Sequence, residues 1–362
     1  MKKMKRILAS AGATIVLLTG CSSVGNMDFT QYAVNQLEIK SLESNGVTTF
    51  HLKYDEKKVK DEKALKLLKL FSDIKITAHM ISENDDTMSI EGTMTVKKGD
   101  IPFKLFLKQN EFILQLDNAS KPIRIIDKSG SPTANTDHFV AAIKKLTPYI
   151  VKHLPNPSTL EVTSKQDKVM GENINGKNVH VEIYGDEIPS LILSFMEGIS
   201  KDKEAIEILV NAINQADDSV KLTTQSFKNE LDTMVVKLKE QLPTLKQDKT
   251  FQQVFSKNNY MKADILLDNK LHERKSNLTF HFAFPTPNVS GIESMEINTT
   301  AENWNINQSV KARNISAAQY LTDEQLADGK KGKAFLDTLN KDHSVLYDIL
   351  VNDLKVNVDK EK

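Results

Sequence analysis

The sequence predicts an α+β fold in which curved antiparallel β-sheets pack against helices. Residues 74–126 and 260–312 alternate apolar and polar side chains with a period of two, and turn residues interrupt both stretches. This pattern is typical of antiparallel meanders with one apolar and one solvated face. Residues 187–246 instead place apolar side chains at helical spacing. Because an apolar sheet face must be covered, we expect helices to pack on these sheets.

The N-terminal half combines the first meander with two helices. Its predicted elements, in order, are strands at 31–39 and 48–54, a helix at 55–73, the strands of 74–126 and a helix at 136–153. We expect a loop at Asn45 and Gly46 between the first two strands, since this dipeptide is typical of turns. Pro148 is expected to kink or end the last helix, because proline lacks the backbone N–H.

The C-terminal half adds a block of helices and the second meander. Its predicted elements are short strands at 160–162 and 179–183 around a loop at 173–177, helices at 187–199, 202–216 and 223–245, the second meander, and terminal helical pieces within 323–351. A chain of 362 residues is long enough for two domains. We place their boundary at the proline-containing break 154–157, which gives halves at 29–155 and 156–362. Their similar order of elements leaves open whether the halves are a duplication.

The first 20 residues have the pattern of a secretory signal peptide. Lys2, Lys3, Lys5 and Arg6 precede an apolar run that ends at Leu18. A basic start, a short apolar core and a small residue at the cut site are the features of such peptides. The apolar run is about 12 residues, whereas a membrane-spanning helix needs roughly 20. We therefore expect this segment to be read by the export machinery and removed.

The ending Leu18-Thr19-Gly20-Cys21 resembles the lipobox of bacterial lipoproteins. The resemblance implies cleavage between Gly20 and Cys21 and a diacylglyceryl group, with acyl chains such as palmitate, on the Cys21 sulfur. It thus implies a signal peptide at 1–20, a lipidated cysteine with a tether at 21–28, and a protein held on the extracytoplasmic face of the cell membrane. It does not distinguish a Gram-positive membrane from an outer membrane. The alternative is an ordinary signal peptide with an incidental cysteine.

Composition excludes several kinds of site. Removal of residues 1–20 leaves 44 basic and 48 acidic residues, a net charge of about −4. This balance argues against a nucleic-acid partner, which favours a basic face. Cys21 is the one cysteine of the sequence. Once it is lipidated, the chain has no thiol for a disulfide, a thiolate metal site or a cysteine nucleophile.

No catalytic or cofactor motif is present in the sequence. The eight histidines are scattered, and there is no Gly-x-Ser-x-Gly elbow, phosphate-binding glycine loop or dinucleotide fingerprint. His180 and Glu182 share a strand face and could ligate a metal, but a solvated pair is strongly favoured over a metal site. We therefore predict no cofactor, no metal and no enzymatic activity, and we keep an enzyme as the third hypothesis.

The order of elements resembles that of LolA/LppX-type lipoproteins, in which a curved antiparallel sheet faces helices. That resemblance implies an apolar or amphiphilic ligand between sheet and helices. Met88, Met94, Phe280 and Phe282 are the predicted apolar wall, because methionine and phenylalanine suit varied apolar shapes. The alternative for each of these residues is a plain core position.

Two functional hypotheses follow from these observations. The first is a lipid-anchored, non-enzymatic protein that binds an apolar or amphiphilic ligand. The second is a surface interaction or envelope-assembly protein without a small ligand, which uses polar strand faces such as that of Asn303, Asn305 and Asn307. No protein partner is identified by the sequence.

Replacing Cys21 with alanine tests the lipid anchor. We expect the Cys21→Ala protein to be released from the membrane or to stay unprocessed, because the acyl chains that hold the protein are attached to this sulfur. Fractionation of cells and the mass of the N-terminal peptide measure both outcomes. A cut chain that stays on the membrane would refute lipidation.

Overall fold

The computed structural model of this protein describes residues 23–126, 133–216, 221–285, 291–322, 325–326 and 331–356. The chain divides into two compact units, each built from two segments. The first unit takes the described parts of Lys40–Gly130 and Pro287–Lys362, and the second takes those of Arg6–Ile39 and Ser131–Thr286. The predicted α+β class, with curved and mostly antiparallel sheet structure and helices, is confirmed.

The described elements are numbered along the chain. The strands are β1 Ser23–Val24, β2 Met27–Asp28, β3 Leu42–Tyr54, β4 Asp73–Asn84, β5 Thr87–Val96, β6 Gly99–Lys108, β7 Glu111–Leu116, β8 Ile123–Ile126, β9 Thr159–Val169, β10 Glu172–Tyr184, β11 Tyr260–Leu267, β12 Glu273–Ala283, β13 Ile292–Trp304 and β14 Leu321–Thr322. The helices are α1 Phe29–Leu37, α2 Glu62–Phe71, α3 Thr133–His153, α4 Ile188–Ser200, α5 Lys203–Ala216, α6 Thr224–Leu245, α7 Lys249–Val254, α8 Lys331–Leu336 and α9 Val345–Asp348, which continues as a π-helical turn at Ile349–Asp353.

The two units differ from the predicted division of the chain. The second unit includes both sides of the break 154–157, which joins α3 to β9. β9 pairs with β10, and β10 pairs with β11, so the strands after the break complete the sheet of the same unit. The prolines at the break therefore end a helix within a unit. The two units also differ in their elements, and duplication stays a hypothesis.

The first unit contains the predicted meander. Its strands lie in the order β14-β8-β7-β6-β5-β4-β3-β13, and neighbours are antiparallel except for β14 and β8. Tight turns separate β4 to β7, as the alternation predicts. The predicted loop at Asn45 and Gly46 is wrong, because both residues lie inside β3 and pair with β4 and β13. Pairing on both sides overrides the local turn preference of this dipeptide.

One face of the first unit's sheet is apolar and is buried best at one end. There, Val96, Ile101 and Ile349 form a buried cluster that α2 and α9 cover through Phe71 and Val345. The predicted helix 55–73 is shorter than expected, because the Asp61 carboxylate caps its first turn by accepting from Lys63 and Ala64. The helices of this unit thus pack at the end of the face where β5 turns into β6.

The opposite face of this sheet is partly covered by irregular chain after β13. Ala312 and Ile315 pack on Phe106 and Ile113, which lie on adjacent strands β6 and β7. The N–H of Arg313 donates to Ser89 Oγ at 2.9 Å. This corner is therefore a second apolar cluster, on the face that is otherwise polar.

The second unit has a sheet in the order β12-β11-β10-β9, with helices on its apolar face. Val179, Val181 and Ile265 are at most 2% exposed and pack with residues of α1 and α3. Helices α4, α5 and α6 agree with the predicted helices to within two residues. Helix α3 continues through Pro148 to His153, so the alternative that Pro148 ends the helix is wrong.

Helix α1 occupies a segment that alternation assigned to a strand. The prediction of a strand at 31–39 is wrong, because Asp28 caps a helix by accepting from the N–H of Gln31 at 2.9 Å. Phe29, Tyr32 and Ala33 have helical spacing and are at most 5% exposed in the core. Burial against the sheet decides the helix, since a nine-residue helix gains little from intrinsic propensity.

Strands β9 and β10 form a longer hairpin than the sequence indicated. The predicted loop 173–177 is wrong, because these residues lie in β10 and pair with β9 as far as the turn at Met170 and Gly171. Only glycine fits at Gly176, where an added methyl group would lie 1.7 Å from the carbonyl oxygen of Leu267. A glycine that permits close approach of a neighbouring strand has the same sequence signal as a loop glycine.

The predicted tether at 21–28 is a packed hairpin from Ser23 onward. β1 pairs with β2, Met27 is 1% exposed, and Val24 packs against the same core cluster as α1. The free chain that follows the predicted lipid site is therefore much shorter than the sequence suggested.

Two glycines in the first unit's sheet give a matched test of its packing. A methyl group at Gly92 would lie 2.2 Å from the Thr77 oxygen and 2.7 Å from the Phe103 ring, whereas at Gly46 the nearest atom is 3.7 Å away. We expect Gly92→Ala to lower the free energy of unfolding by about 1–3 kcal/mol, the usual cost of overpacking. Gly46→Ala should leave it unchanged or raise it slightly. Urea unfolding of both variants measures this, and an equal effect at the two positions would contradict it.

Candidate functional site

The predicted lipidation site lies outside the described residues. Gly20 and Cys21 both precede Ser23, where the described chain begins. Over the parts of the chain that the structure describes, none of the helices has the length and apolar character needed to cross a membrane. Cleavage and lipidation at Gly20 and Cys21 stay predictions.

The four residues of the predicted apolar wall belong to different units. Met88 and Met94 both lie on the apolar face of β5, where Met88 is 3% exposed and Met94 packs on the buried cluster of Ile101. Phe280 and Phe282 lie on one face of β12 in the second unit and are half-buried. The Phe282 and Phe284 rings meet edge to face at 5.1 Å. The structure thus gives Met88 a core position.

A row of small residues crosses the apolar face of the first unit on four adjacent strands. Ala301 pairs with Gly46, Gly46 with Ala78, and Ala78 with Gly92. Larger side chains from the same strands stand on both sides, so the row forms the floor of a trough. We call these four residues the trough floor. Four strands at about 4.8 Å spacing make the trough about 14 Å long.

The two ends of the trough differ in polarity. Phe103 pairs with Gly92 and its ring lies across that glycine, which closes one end. At the other end, Thr48 and Thr299 flank the floor and share a hydrogen bond of 3.1 Å. The flanks therefore change from aromatic and aliphatic groups to hydroxyls along the floor.

The flanks of the trough follow from the pairing register. On one side the paired residues are Thr299, Thr48, Ile76 and Met94, and on the other they are Asn303, Ser44, Met80 and Ile90. The floor and most of these flanks are half-buried, so the trough is accessible from outside the chain. Accessible apolar surface on a sheet face is a feature of ligand grooves and interaction sites.

The second unit carries an aromatic and charged cluster on the polar face of its sheet. The Lys262 ammonium lies 5.5 Å from the Tyr184 ring centroid and 5.2 Å from that of Tyr260, and His281 stacks on Tyr260 at 5.2 Å. Tyr184 and Lys262 also hydrogen-bond Glu182, at 2.5 and 2.9 Å. Hydrogen bonds from Tyr184 and Lys262 lower the pKa of Glu182, so this carboxylate stays charged at neutral pH.

The candidate metal ligands His180 and Glu182 belong to this same cluster. His180 Nε2 lies 3.5 Å from Glu182, while Nδ1 is 2.9 Å from the Asp264 carboxylate. Among the described residues, no group of three His, Cys, Asp or Glu side chains has an arrangement that could hold a metal ion. His180 is therefore held by two carboxylates as part of a surface network.

An open polar cleft of about 410 Å³ lies where α3 ends and α5 begins. Its lining residues are Lys152, His153, Lys201, Asp202, Lys203 and Glu204. Asp202 accepts hydrogen bonds from His153 Nε2 at 2.7 Å and from Lys152 Nζ at 2.9 Å. Its other oxygen caps α5 through the N–H of Ala205 at 3.2 Å. The carboxylate thus joins the end of one helix to the start of another.

The pKa of Asp202 reflects these contacts. Burial pushes it upward, but the hydrogen bonds from His153, Lys152 and the Ala205 N–H outweigh burial and lower it to about 2. The His153 ring also lies against Gly198 of α4, where a methyl group would be 2.7 Å from Nδ1. Because His153 and Asp202 together connect three helices, we interpret the cleft as a structural brace.

A buried polar pair lies beneath α1. The Tyr32 hydroxyl donates to Glu273 at 3.5 Å, and both residues are at most 6% exposed. Burial raises the pKa of Glu273 and also that of Tyr32, which favours their neutral forms. The contact ties α1 to β12 and has no access from solvent.

Neither a protein-family model nor a curated protein matches this sequence. Function is therefore inferred from the residues and their geometry. Sequence alternation found the strands that carry the trough but not the trough itself, since nothing in one strand indicates that its glycine or alanine lies opposite another. For the contact of Asp202 with His153 and Lys152, the sequence showed only that an aspartate stands at the start of a predicted helix.

Asp202→Asn tests the brace through pH. Because the folded pKa is depressed from 3.8 to about 2, the charged form stabilises the fold above pH 3.8, and this contribution is lost as the pH falls through about 2. We expect the variant to be about 2 kcal/mol less stable at pH 7, with the difference shrinking below pH 4. Urea unfolding at several pH values measures it.

The matched control for this prediction is Asp232→Asn. Asp232 pairs with Lys228 on the exposed surface of α6, and exposed pairs contribute little. Equal losses of stability in the two variants, or a loss at Asp202 that does not depend on pH, would contradict the role of Asp202 as a brace.

Proposed function

We propose that this protein is an exported, lipid-anchored lipoprotein that binds an apolar or amphiphilic ligand without enzymatic activity. The anchor in this proposal is the acylated Cys21, which holds the body on the extracytoplasmic face of the membrane. The observation that carries the ligand proposal is the accessible trough on the apolar face of the first unit.

The shape of the trough supports an elongated ligand. Its floor of glycine and alanine lets an apolar chain approach the backbone of β13, β3 and β4, as far as the Phe103 ring above Gly92. Burial of an acyl chain contributes about 0.8 kcal/mol for each methylene group. Ile76, Met80, Ile90 and Met94 supply the apolar flanks along β4 and β5.

The polarity of the two ends supports an amphiphile over a plain hydrocarbon. Phe103 closes the apolar end beside Gly92, and the hydroxyls of Thr48 and Thr299 stand at the other. Buried polar groups favour ligands that satisfy their hydrogen bonds. The arrangement therefore suits an acyl chain directed towards Phe103 with a polar group near β3 and β13.

A second candidate function is recognition of an envelope protein. The Tyr184, Tyr260, Lys262 and His281 cluster favours it, because tyrosine is enriched at protein interfaces and presents a rigid amphipathic ring. This surface lies on the polar sheet face of the second unit, so the two functions do not exclude each other.

Native mass spectrometry with a pair of leucine variants tests the ligand proposal. The soluble body, residues 22–362, is purified from bacterial cells without detergent. We expect the unmodified body to carry added mass that matches an amphiphile and is lost on denaturation. Gly46→Leu fills the trough floor where the nearest atom is 3.7 Å from an added Cβ, and should reduce the occupied fraction at least about tenfold, a loss of roughly 1.4 kcal/mol.

The control is Asn45→Leu, one residue earlier on the same strand. Asn45 is exposed and its amide oxygen lies 2.9 Å from His79 Nδ1, on the face opposite the trough. This variant should keep the ligand. A clean apo mass for the unmodified body, or equal loss in both variants, would favour a packed core and direct attention to a protein partner.

A further inference from the structure

The N-terminal hairpin leaves almost no free chain between the body and the predicted lipid. Met27 is 1% exposed in the core of the second unit, and Val24 packs on the same cluster. An added methyl group at Gly25 would lie 2.8 Å from Val162 Cβ on β9. The Lys177 ammonium donates to the carbonyl of Asn26, which fixes the hairpin turn on β10.

The short reach places this part of the second unit at the membrane. Only Ser22 separates Cys21 from Ser23, so their Cα atoms are at most about 7 Å apart. The headgroup layer of a bilayer is about 5–8 Å thick on each side. An acylated Cys21 therefore brings the hairpin, and the part of β9 around Val162 that it packs on, close to the headgroups.

The β9–β10 ribbon presents lysines that form no salt bridge within the described part of the chain. Its acids Asp167 and Glu172 are paired with cations of β12, at 3.5 Å from Lys275 and 2.5 Å from Arg274. Three lysines have no acidic oxygen within 4 Å among the residues that the structure describes. They are Lys165, Lys168 and Lys177. The further acids of the ribbon are Glu161 on β9 and Glu182 on β10, and both lie at the end away from the turn, where Glu182 pairs with Lys262.

The tip of the ribbon is an exposed methionine in an unfavourable backbone conformation. Met170 has φ of 47° and is 51% exposed at the turn before Gly171. Asparagine or aspartate is usual at this position of a two-residue hairpin turn, and a bulky apolar residue is uncommon there. Burial of the Met170 side chain in the fold is therefore too small to offset the strain of its backbone. An apolar tip beside lysines is the pattern of interfacial membrane contact.

We propose that the β9–β10 ribbon lies on the membrane surface, where its lysines contact anionic phospholipid headgroups and Met170 enters the interface. The inference rests on the proposed lipid anchor. Met170 is eight residues along β9 from Val162, about 26 Å, so lipid and methionine hold the second unit at two separated points. Anionic lipid is favoured over a protein because lysines without an acidic partner among the described residues lie along the ribbon between the lipid attachment and its apolar tip.

The test uses the lipidated full chain with Met170→Cys, in which the introduced cysteine is the free thiol. It is labelled with a polarity-sensitive dye and reconstituted in phosphatidylcholine vesicles with 30 mol% phosphatidylglycerol, a composition of about one anionic lipid in three. We expect nitroxide-bearing lipids to quench the dye and acrylamide to quench it poorly. The same dye at Asn110→Cys, in the exposed turn between β6 and β7, should show the reverse.

A charge variant tests the lysines. Lys165→Gln with Lys168→Gln should lower the ratio of membrane-bound to released ribbon about 25-fold, which is about fivefold for each lysine. Added salt should lower the same ratio in the unmodified protein, because it screens the attraction between lysines and anionic lipid. Lys97→Gln with Lys104→Gln, two exposed lysines of the first unit, should change nothing. Lys177 is kept in both variants because it holds the hairpin.

Each outcome bears on one proposal. Equal acrylamide quenching at positions 170 and 110 in vesicle-bound protein overturns the membrane contact and leaves the anchor intact. Protection from acrylamide without quenching by nitroxide lipids indicates contact with protein and also overturns it. Two dyes per chain, with loss of vesicle flotation, show a free Cys21 and overturn the anchor. Matching urea midpoints for all variants confirm that the fold is kept.

Discussion

The antiparallel register of the first unit's sheet is the constraint on which its apolar trough depends. Ala301, Gly46, Ala78 and Gly92 lie side by side because β13, β3, β4 and β5 are paired at those residues. A slip of one residue in any strand would move its small residue to the polar face. At the end of the same face, burial of Val96 and Ile101 with Ile349 favours the register of β5 and β6.

In the second unit the strands also alternate apolar and polar residues, but helices cover the apolar face completely at its centre. Its apolar face is closed by α1 and α3, with Val179, Val181 and Ile265 at most 2% exposed. Its helices are in turn connected by the carboxylate of Asp202, which bonds His153 and Lys152. The second unit therefore combines a closed core with helices that are joined by hydrogen bonds, and it carries the N-terminal hairpin and the β9–β10 ribbon. The first unit, with its accessible apolar face, is then the part suited to a ligand.

The proposals assign separate surfaces to separate tasks. The trough supports a ligand, the cluster around Tyr260 supports a protein contact, and the ribbon ending at Met170 supports contact with lipid. Each proposal rests on a feature that the packing of the fold does not require. The trough has accessible small residues on an apolar face, and the Tyr260 cluster has aromatic rings on a polar face. The ribbon ends in an exposed methionine with φ of 47°. Since proteins depart from local rules chiefly at functional positions, these departures are where we expect function.

The sequence by itself determined the α+β class, the first meander, the strands of the second alternating stretch as far as Trp304 and the three helices of 187–246, because period-two and helical spacing are local properties of the chain. It also supplied the signal-peptide and lipobox pattern that ends at Cys21. Only the tertiary structure decided that 31–39 is a helix and that Asn45 and Gly46 lie within a strand, since burial and pairing on both sides overrode local preference. The trough, too, depends on residues from four strands that are distant in sequence. No local pattern in the sequence shows which small residue of one strand lies opposite a small residue of the next. Those neighbours are set only when the strands pair in the sheet.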